Sequence, residues 1–203
     1  MRLIVRENED AKSITAMCSM FAARKSIFVD LLGWDLPICG ERYEVDQFDD
    51  THARYLIIMC DGKHTASTRL LPTTKPHILE SLFSHLCKEP VPMGPRVLEI
   101  TRFCVDRDQP SSRRRTARSL LITALVDFAI KEAITTYTGV AEAKWFGQFR
   151  QFGWSCRALG PLRQNQPTAL VPFRIDFDEH TVERMTTTGI YAQRAPWRPG
   201  TAR

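Results

Sequence analysis

Two charged residues lie inside a stretch that otherwise predicts a buried β-strand. The apolar run 97–105 is rich in Val, Ile, Phe and Thr, yet it contains Glu99 and Arg102. Because an unpaired buried ion costs several kcal/mol, each charge needs a partner on its own face of the sheet. Side chains alternate along a strand, so Glu99, Thr101 and Phe103 are expected on one face. Arg102 is then expected on the opposite face. The pair belongs either to a structural ion-pair network or to a reactive site.

Aromatic and acidic residues upstream of this strand favour the reactive site over the structural ion-pair network. The first predicted helix carries Arg24 and Phe28, and Trp34 follows it at the start of an aperiodic acidic segment. A cation is attracted to the face of an aromatic ring, so Trp34 beside an acidic turn can hold a cationic, adenine-bearing ligand. A plain surface loop is the alternative. The acidic residues of the segment are Asp35, Glu41, Glu44, Asp46, Asp49 and Asp50.

Four arginines follow the strand, at the start of the next predicted helix. Ser111 or Ser112 is expected to cap this helix, which runs to about Ala133. Positive side chains have the wrong sign for a helix N-terminus, which already carries a partial positive charge, so an anion is expected to bind there. A solvated basic face is the alternative. The four residues are Arg113, Arg114, Arg115 and Arg118.

Composition narrows the class of protein. A chain of 203 residues with 43% hydrophobic content suits one globular domain, and no apolar stretch is long enough for a membrane helix or signal peptide. We therefore expect a cytoplasmic protein without membrane insertion. The six cysteines are scattered, without the spacing of a metal site, so no metal is expected.

The net charge of +5 favours a polyanionic partner. Nucleic acid is disfavoured, because no aromatic residues are interleaved with the arginines of 113–118.

Hydrophobic periodicity predicts a mixed sheet with helices on both faces. The first helix, capped by Asn8 or Asp10, is expected to end at Gly33, and Asp61-Gly62 predicts a hairpin turn. The later tail, 186–203, is expected to be flexible. The strands predicted are Leu3–Val5, Arg54–Met59, Lys63–Leu71, Val97–Val105, Ile134–Ala141, Trp154–Leu159 and Ala169–Phe177. The later helices predicted are 78–86, 111–133, Ala143–Phe152 and one capped by Asp178.

In this order and spacing the residues resemble the acyl-homoserine-lactone synthases, the LuxI-type autoinducer synthases. The pattern consists of Arg24-x3-Phe28-x5-Trp34, Asp46-x2-Asp49, Ser67–Thr73 with Arg69, Phe83, Glu99-x-Thr101-Arg102 and Gly153-Trp154. The resemblance covers residues 20–160 and implies a GNAT-like α/β (α+β) fold, with a mixed, mostly antiparallel central sheet flanked by helices on both faces. It also implies a single domain over residues 1–185, with a mobile N-terminal region of residues 1–50.

The resemblance further implies an acyltransferase whose substrates are S-adenosylmethionine and an acyl-acyl carrier protein, acting as a monomer without a cofactor. The catalytic residues it implies are Glu99, Thr101 and Arg102. The residues implied on the S-adenosylmethionine side are Arg24, Phe28, Trp34, Asp46, Asp49, Arg69 and Phe83. The residues implied for the acyl pocket are Phe103, Thr138, Trp145 and Phe146. The four arginines at the start of the helix after the strand, where an anion is expected, are the candidates for carrier-protein docking, namely Arg113, Arg114, Arg115 and Arg118.

Such an enzyme forms an amide on the α-amine of S-adenosylmethionine and then a lactone, as the carboxylate displaces the sulfonium. Only the first step needs a base, because a free α-amine has a pKa of about 7.7 to 8.0, and Glu99 is the candidate. One departure is notable, since residues 113–118 lack the glycines with which GNAT enzymes approach a pyrophosphate. This favours an acidic carrier protein over acyl-CoA as donor. A coenzyme A-dependent N-acyltransferase of a small amine is the alternative.

Overall fold

The computed structural model describes residues 2–5, 11–161 and 169–192, and these form a seven-stranded sheet with helices on both faces and a separate two-stranded sheet within residues 38–44. The strands are β1 (Arg2–Val5), β2 (Ile38–Cys39), β3 (Tyr43–Glu44), β4 (Arg54–Cys60), β5 (Lys63–Pro72), β6 (Val97–Val105), β7 (Thr136–Glu142), β8 (Ser155–Ala158) and β9 (Leu170–Asp176). The α-helices are α1 (Ala11–Arg24), α2 (Ile78–Phe83), α3 (Ser111–Lys131), α4 (Ala143–Phe149) and α5 (Thr181–Thr187). A π-helix (Lys25–Leu31) continues α1, and a 3₁₀ turn (Ser84–Leu86) follows α2.

Strand β6, which carries both unexpected charges, lies in the middle of the sheet. The strand order is β1-β4-β5-β6-β7-β9-β8, and every neighbouring pair is antiparallel except β6 and β7. This confirms the predicted mixed, mostly antiparallel sheet. The parallel pairing is short, because it runs from Val97 opposite Thr136 only to Glu99 opposite Thr138. Glu99 therefore lies at the point where the paired segment of β6 and β7 ends.

The two faces of the sheet pack against different helices. On one face, Leu98 and Ile100 of β6 join a core built around α3. The residues of α3 buried in this core include Leu120, Leu121, Ala124, Leu125 and Phe128. On the other face, Tyr55 and Leu71 join Met20 of α1 and Ile78 of α2 in a second cluster. Burial on both sides explains why the sequence of β6 is almost continuously apolar.

A β-bulge in β6 changes which way its side chains point. Ser67 of β5 is opposite Cys104 and Arg69 is opposite Thr101, so one residue of β5 faces two residues of β6. Arg102 is one of those two and has a φ of 51°. The predicted alternation therefore holds as far as Thr101 and is wrong beyond it. The extra residue turns Arg102 onto the face of Thr101 and turns Phe103 toward the α3 face.

Local turn signals were more reliable than helix caps. Asp61 and Gly62 have φ values of 51° and 77°, as a two-residue type I′ hairpin turn requires, and the first helix ends before Gly33, whose φ is 68°. The predicted serine cap of α3 is wrong, because Pro110 occupies the N-cap without a side-chain hydrogen bond. Asn8 and Asp10, the predicted caps of the first helix, lie outside the described residues.

The first residues of the C-terminal segment pack against the core around α3. Helix α5 continues to Thr187, and the Tyr191 hydroxyl donates to Asp127 Oδ1 of α3 at 2.6 Å. Residues 193–203 lie outside the described part of the chain. Within the described residues, no helix has the length and apolar character needed to cross a membrane.

Candidate active site

Six charged side chains converge on the face of the sheet that α1 covers. Three of them are arginines and three are carboxylates, so their formal charges cancel. Arg24, Arg69 and Glu44 are fully buried, with 0% relative exposure. Buried ions are tolerated only when they are paired and hydrogen-bonded, and every member of this set is. The set, called the charge network below, comprises Arg24, Glu44, Asp46, Asp49, Arg69 and Arg102.

Arg24, the last residue of α1, anchors the helix to the acidic segment. Its two terminal nitrogens donate to the carboxylate oxygens of Asp49 at 2.7 and 2.9 Å, and its Nε donates to Glu44. Asp49 also accepts from the Tyr55 hydroxyl at 2.8 Å. Burial alone would raise the pKa of Asp49, but the hydrogen bond from Arg24 and the charge of Arg69 lower it below its usual value. Asp49 is therefore an ionised bridge between two arginines.

Arg69 and Arg102 attach the same segment to the centre of the sheet. Arg69 donates to both oxygens of Asp46, at 2.6 and 3.0 Å, and its Nε donates to Thr101 Oγ1 at 3.0 Å. Arg102 donates to Asp46 Oδ2 at 2.7 Å and to Glu44 Oε1 at 3.0 Å. The acidic segment is thus held between the end of α1 and strands β5 and β6.

The π-helix places an aromatic pair beside this network. The Leu32 amide donates to the Ile27 carbonyl at 3.0 Å, a five-residue step that is typical of π-helical geometry. The rings of Phe28 and Trp34 stack with centroids 5.0 Å apart and an interplanar angle of 22°. The guanidinium carbon of Arg102 lies 5.7 Å from the centroid of Phe28, within cation–π range. Phe28 is buried, whereas Trp34 is only partly buried.

Glu99 lies on the same face of the sheet but outside the network. Its side chain is fully buried, and Oε1 accepts a hydrogen bond from the Leu79 amide at 2.9 Å, at the start of α2. Oε2 has no hydrogen-bond partner among the described residues. Burial raises the pKa of Glu99 from its ordinary value of 4.5 to about 8, although the backbone hydrogen bonds and the charges of Arg69 and Arg102 oppose the shift. A carboxyl group with one free oxygen and this pKa is suited to accept a proton near neutral pH.

The residues predicted for the acyl pocket lie on two faces of the sheet. Thr138 is opposite Glu99 in the parallel pairing, and its hydroxyl donates to the Phe173 carbonyl at 3.0 Å. The ring of Phe103 contacts Trp145 on the other face, with centroids 6.2 Å apart. Phe146 is buried in the same aromatic cluster.

Phe83 lies apart from the charge network and the aromatic pair. It is the last residue of α2, is half-buried, and packs against the apolar cluster that contains Met20 and Ile78. Its predicted place on the S-adenosylmethionine side therefore rests on the resemblance, not on a contact with the network.

The four arginines of α3 point in different directions. Arg114 donates back to the carbonyls of Gln109 at 2.9 Å and Arg107 at 3.3 Å. Arg118 donates to Gln148 Oε1 of α4 at 3.3 Å. The remaining two, Arg113 and Arg115, are exposed to solvent. Arg114 and Arg118 are only partly exposed.

Sequence reasoning did not single out two members of the site. Glu44 bridges Arg24 and Arg102, and Tyr55 supports Asp49. Glu44 was one acidic residue among six in a segment without periodicity, so only its i, i+2 spacing to Asp46 distinguished it. Tyr55 looked like an ordinary residue of a buried strand. Among the described residues, no group of three or more potential metal ligands is present.

Comparison with known proteins agrees with this architecture. The family model described as autoinducer synthase matches residues 8–185. An acyl-homoserine-lactone synthase of Ralstonia nicotianae is 32% identical over 174 residues, covering 82% of this chain and 84% of that protein. The solved structure of MesI, a CoA-dependent acyl-homoserine lactone synthase, has a TM-score of 0.83 at 25% identity and covers 98% of this chain and 100% of its own. TofI, solved with an inhibitor and MTA, has a TM-score of 0.76 at 26% identity and covers 92% and 97%.

The chain therefore belongs to the autoinducer synthase family. Its enzymatic class follows from the same comparisons: it is an acyl-homoserine-lactone synthase, and hence an acyltransferase. The fold and the enzyme class expected from the sequence are both confirmed.

Proposed function

We propose that this enzyme acylates the α-amine of S-adenosylmethionine with an acyl-acyl carrier protein and then closes the lactone, releasing methylthioadenosine. The observation that carries the proposal is Glu99, a buried carboxyl with one unpartnered oxygen, close to Arg69 and Arg102 of the charge network. The MTA in the TofI complex supports the choice of S-adenosylmethionine, because MTA is the fragment that lactonisation would release.

In the acylation step, Glu99 takes a proton from the α-ammonium group, either directly or through a water molecule. The amine has a pKa of about 7.7 to 8.0, close to that of Glu99, so the transfer needs little driving force near neutral pH. The freed nitrogen attacks the thioester carbonyl, the new C–N bond replaces the C–S bond, and the carrier thiol leaves. The products are the acylated S-adenosylmethionine and the free carrier thiol.

In the lactonisation step, no further base is required. The substrate carboxylate attacks the carbon attached to the sulfonium, the C–S bond breaks, and neutral methylthioadenosine leaves with the electron pair. The enzyme's task is to hold the two groups in line, which is an orientation effect. The stacked rings of Phe28 and Trp34 are suited to pack the adenine and the sulfonium. The charge network keeps Phe28 and the acidic segment in place around them. S-adenosylmethionine is thus a substrate, and the proposed reaction uses no cofactor.

The acyl donor in the proposal is a carrier protein because of the exposed pair Arg113 and Arg115. They project from the first two turns of α3, where positive charge is unfavourable to the helix and favourable to an acidic partner. The loop before them has no glycine to let a pyrophosphate approach the backbone. The competing donor is acyl-CoA, which MesI is described as using.

The test is to incubate the purified enzyme with S-adenosylmethionine and a panel of acyl-carrier proteins, in parallel with the matching acyl-CoA thioesters. Mass spectrometry then measures the acyl-homoserine lactone and methylthioadenosine. We expect both products in equal amounts, with a higher kcat/KM for the carrier-protein donor. Transfer to amines without release of methylthioadenosine would favour the small-amine N-acyltransferase. A higher kcat/KM for acyl-CoA would overturn the choice of donor while leaving the reaction intact.

A further inference from the structure

The bulge in β6 places Arg102 in a backbone conformation that must be held from outside. Its φ of 51° lies in the left-handed region, which is unfavourable for a residue with a long side chain. The chain on either side returns to regular pairing with β5, at Thr101 and at Cys104. The strained position is therefore confined to Arg102, whose side chain is held by Glu44 and Asp46 and whose neighbours in the strand contact β5.

Side chains of β5 contact the strand on both sides of the bulge. The buried hydroxyl of Thr68 donates to the Thr101 carbonyl at 3.0 Å, immediately before the strained residue. On the other side, Ser67 Oγ lies 3.2 Å from Cys104 Sγ and 2.9 Å from His64 Nε2. Thr68 is the β5 residue that faces the two residues of the bulge. Its hydroxyl satisfies a carbonyl next to the bulge, where the regular ladder is disrupted.

The position of the bulge determines which side chains of β6 point to each face of the sheet. Without the inserted residue, alternation would direct Arg102 into the apolar core beneath α3 and Phe103 toward Asp46. With the bulge, Arg102 reaches Glu44 and Asp46, and Phe103 packs against Trp145. A change of register at this point would therefore leave Asp46 and Glu44 without one of their cations.

We propose that Thr68 is a positioning residue of the synthase, whose hydroxyl holds the bulge and so directs Arg102 into the charge network. It acts through Arg102 and contacts no substrate. The inference rests on the proposed function in one respect, namely that S-adenosylmethionine is the ligand that the network and Phe28 surround. Loss of the hydroxyl is then expected to weaken S-adenosylmethionine use through the misplaced guanidinium.

The first test compares Thr68→Val with Thr65→Val. Thr65 is a matched control, because it is buried on the same strand and its hydroxyl donates only to the Lys63 carbonyl at 3.5 Å. We expect Thr68→Val to lower kcat/KM for S-adenosylmethionine about tenfold, the equivalent of about 1.4 kcal/mol, and Thr65→Val to leave it unchanged. Thr68→Ser, which keeps the hydroxyl, should retain the wild-type KM for S-adenosylmethionine even if it is less stable. A raised KM in Thr68→Ser would overturn the proposal.

A double-mutant cycle separates positioning from general support of the fold. If Thr68 acts through Arg102, the pair Thr68→Val with Arg102→Lys should lose no more activity than Arg102→Lys alone. If Thr68 only stabilises the sheet, the two losses in kcat/KM should multiply, and that result would exclude the positioning role. Failure of the proposed function gives a different pattern, since the wild type would then release no methylthioadenosine from S-adenosylmethionine.

Discussion

Replacing Glu99 with glutamine tests the raised pKa of this carboxyl group through the stability of the protein. The measurement needs no substrate. Burial raises the pKa from 4.5 to about 8. At about 1.36 kcal/mol per pKa unit, ionising Glu99 in the folded protein is opposed by on the order of 5 kcal/mol. Because the folded-state pKa exceeds the unfolded one, the stabilisation from neutral Glu99 is complete below the unfolded pKa. It is lost as the pH rises toward about 8.

Glutamine keeps the size of the side chain but does not titrate. The free energy of unfolding of Glu99→Gln, minus that of the wild type, should therefore increase by on the order of 5 kcal/mol as the pH rises through the interval between the two pKa values. Above the folded-state pKa the difference should level off. Urea denaturation at a series of pH values measures this curve. Glu80→Gln, which removes an exposed carboxylate from α2, is the control for the loss of one acidic side chain.

The same variant tests the chemistry. Removing the general base should lower the rate of acylation by roughly 10² to 10⁴, with the affinity for S-adenosylmethionine within a few-fold of wild type. A pH–rate profile alone does not assign the base, because the substrate amine titrates in the same range as Glu99. The stability curve does, since no amine is present. A flat stability difference would refute the raised pKa, and near-normal turnover of Glu99→Gln would remove this residue from the chemistry.

Three further predictions concern the rest of the site. Trp34→Ala should raise the dissociation constant for S-adenosylmethionine about tenfold, as measured by calorimetry, and should change stability little because the ring is only partly buried. An unchanged dissociation constant would contradict this. Glu44→Gln should lower the free energy of unfolding, measured by urea denaturation, by about 3 to 5 kcal/mol, because Arg24 loses a buried partner. A loss below about 1 kcal/mol would contradict this prediction. Arg113→Glu with Arg115→Glu should raise KM for acyl-carrier protein at low salt, as high salt should in the wild type, and leave KM for acyl-CoA unchanged. An equal response of both donors would refute docking at this pair.

The parts of the fold that local sequence determines were predictable. The hairpin follows from Asp61-Gly62, because few other pairs adopt two positive φ values, and the end of the first helix follows from Gly33 for the same reason. The central strand followed from an unbroken apolar run, which is typical of a strand buried on both faces. Each of these signals lies within a few residues of the feature that it predicts.

The bulge could not be predicted in this way, because it is a property of two strands. Nothing in the sequence around Arg102 marks a positive φ, since glycine and asparagine are the residues that usually do. The inserted residue is defined only by the register between Ser67 and Cys104. A single undetected insertion was enough to reverse the predicted faces of Arg102 and Phe103. The place of Glu44 in the charge network likewise depends on tertiary contacts. Its partners are Arg24 and Arg102, which lie 20 and 58 residues away along the chain.

The charge network makes the structure of the site inseparable from that of the N-terminal half of the chain. Asp46 and Asp49 each contact two arginines, and Arg69 contacts both of these carboxylates. Removal of any one member leaves a buried charge with an incomplete set of partners, which costs more than the pair contributed. Arginine is required here over lysine, because a planar guanidinium can donate to two carboxylates at once, whereas an ammonium is a point charge. The network therefore sets the position of α1, the acidic segment and β6 relative to one another, and the aromatic pair lies where these three elements meet.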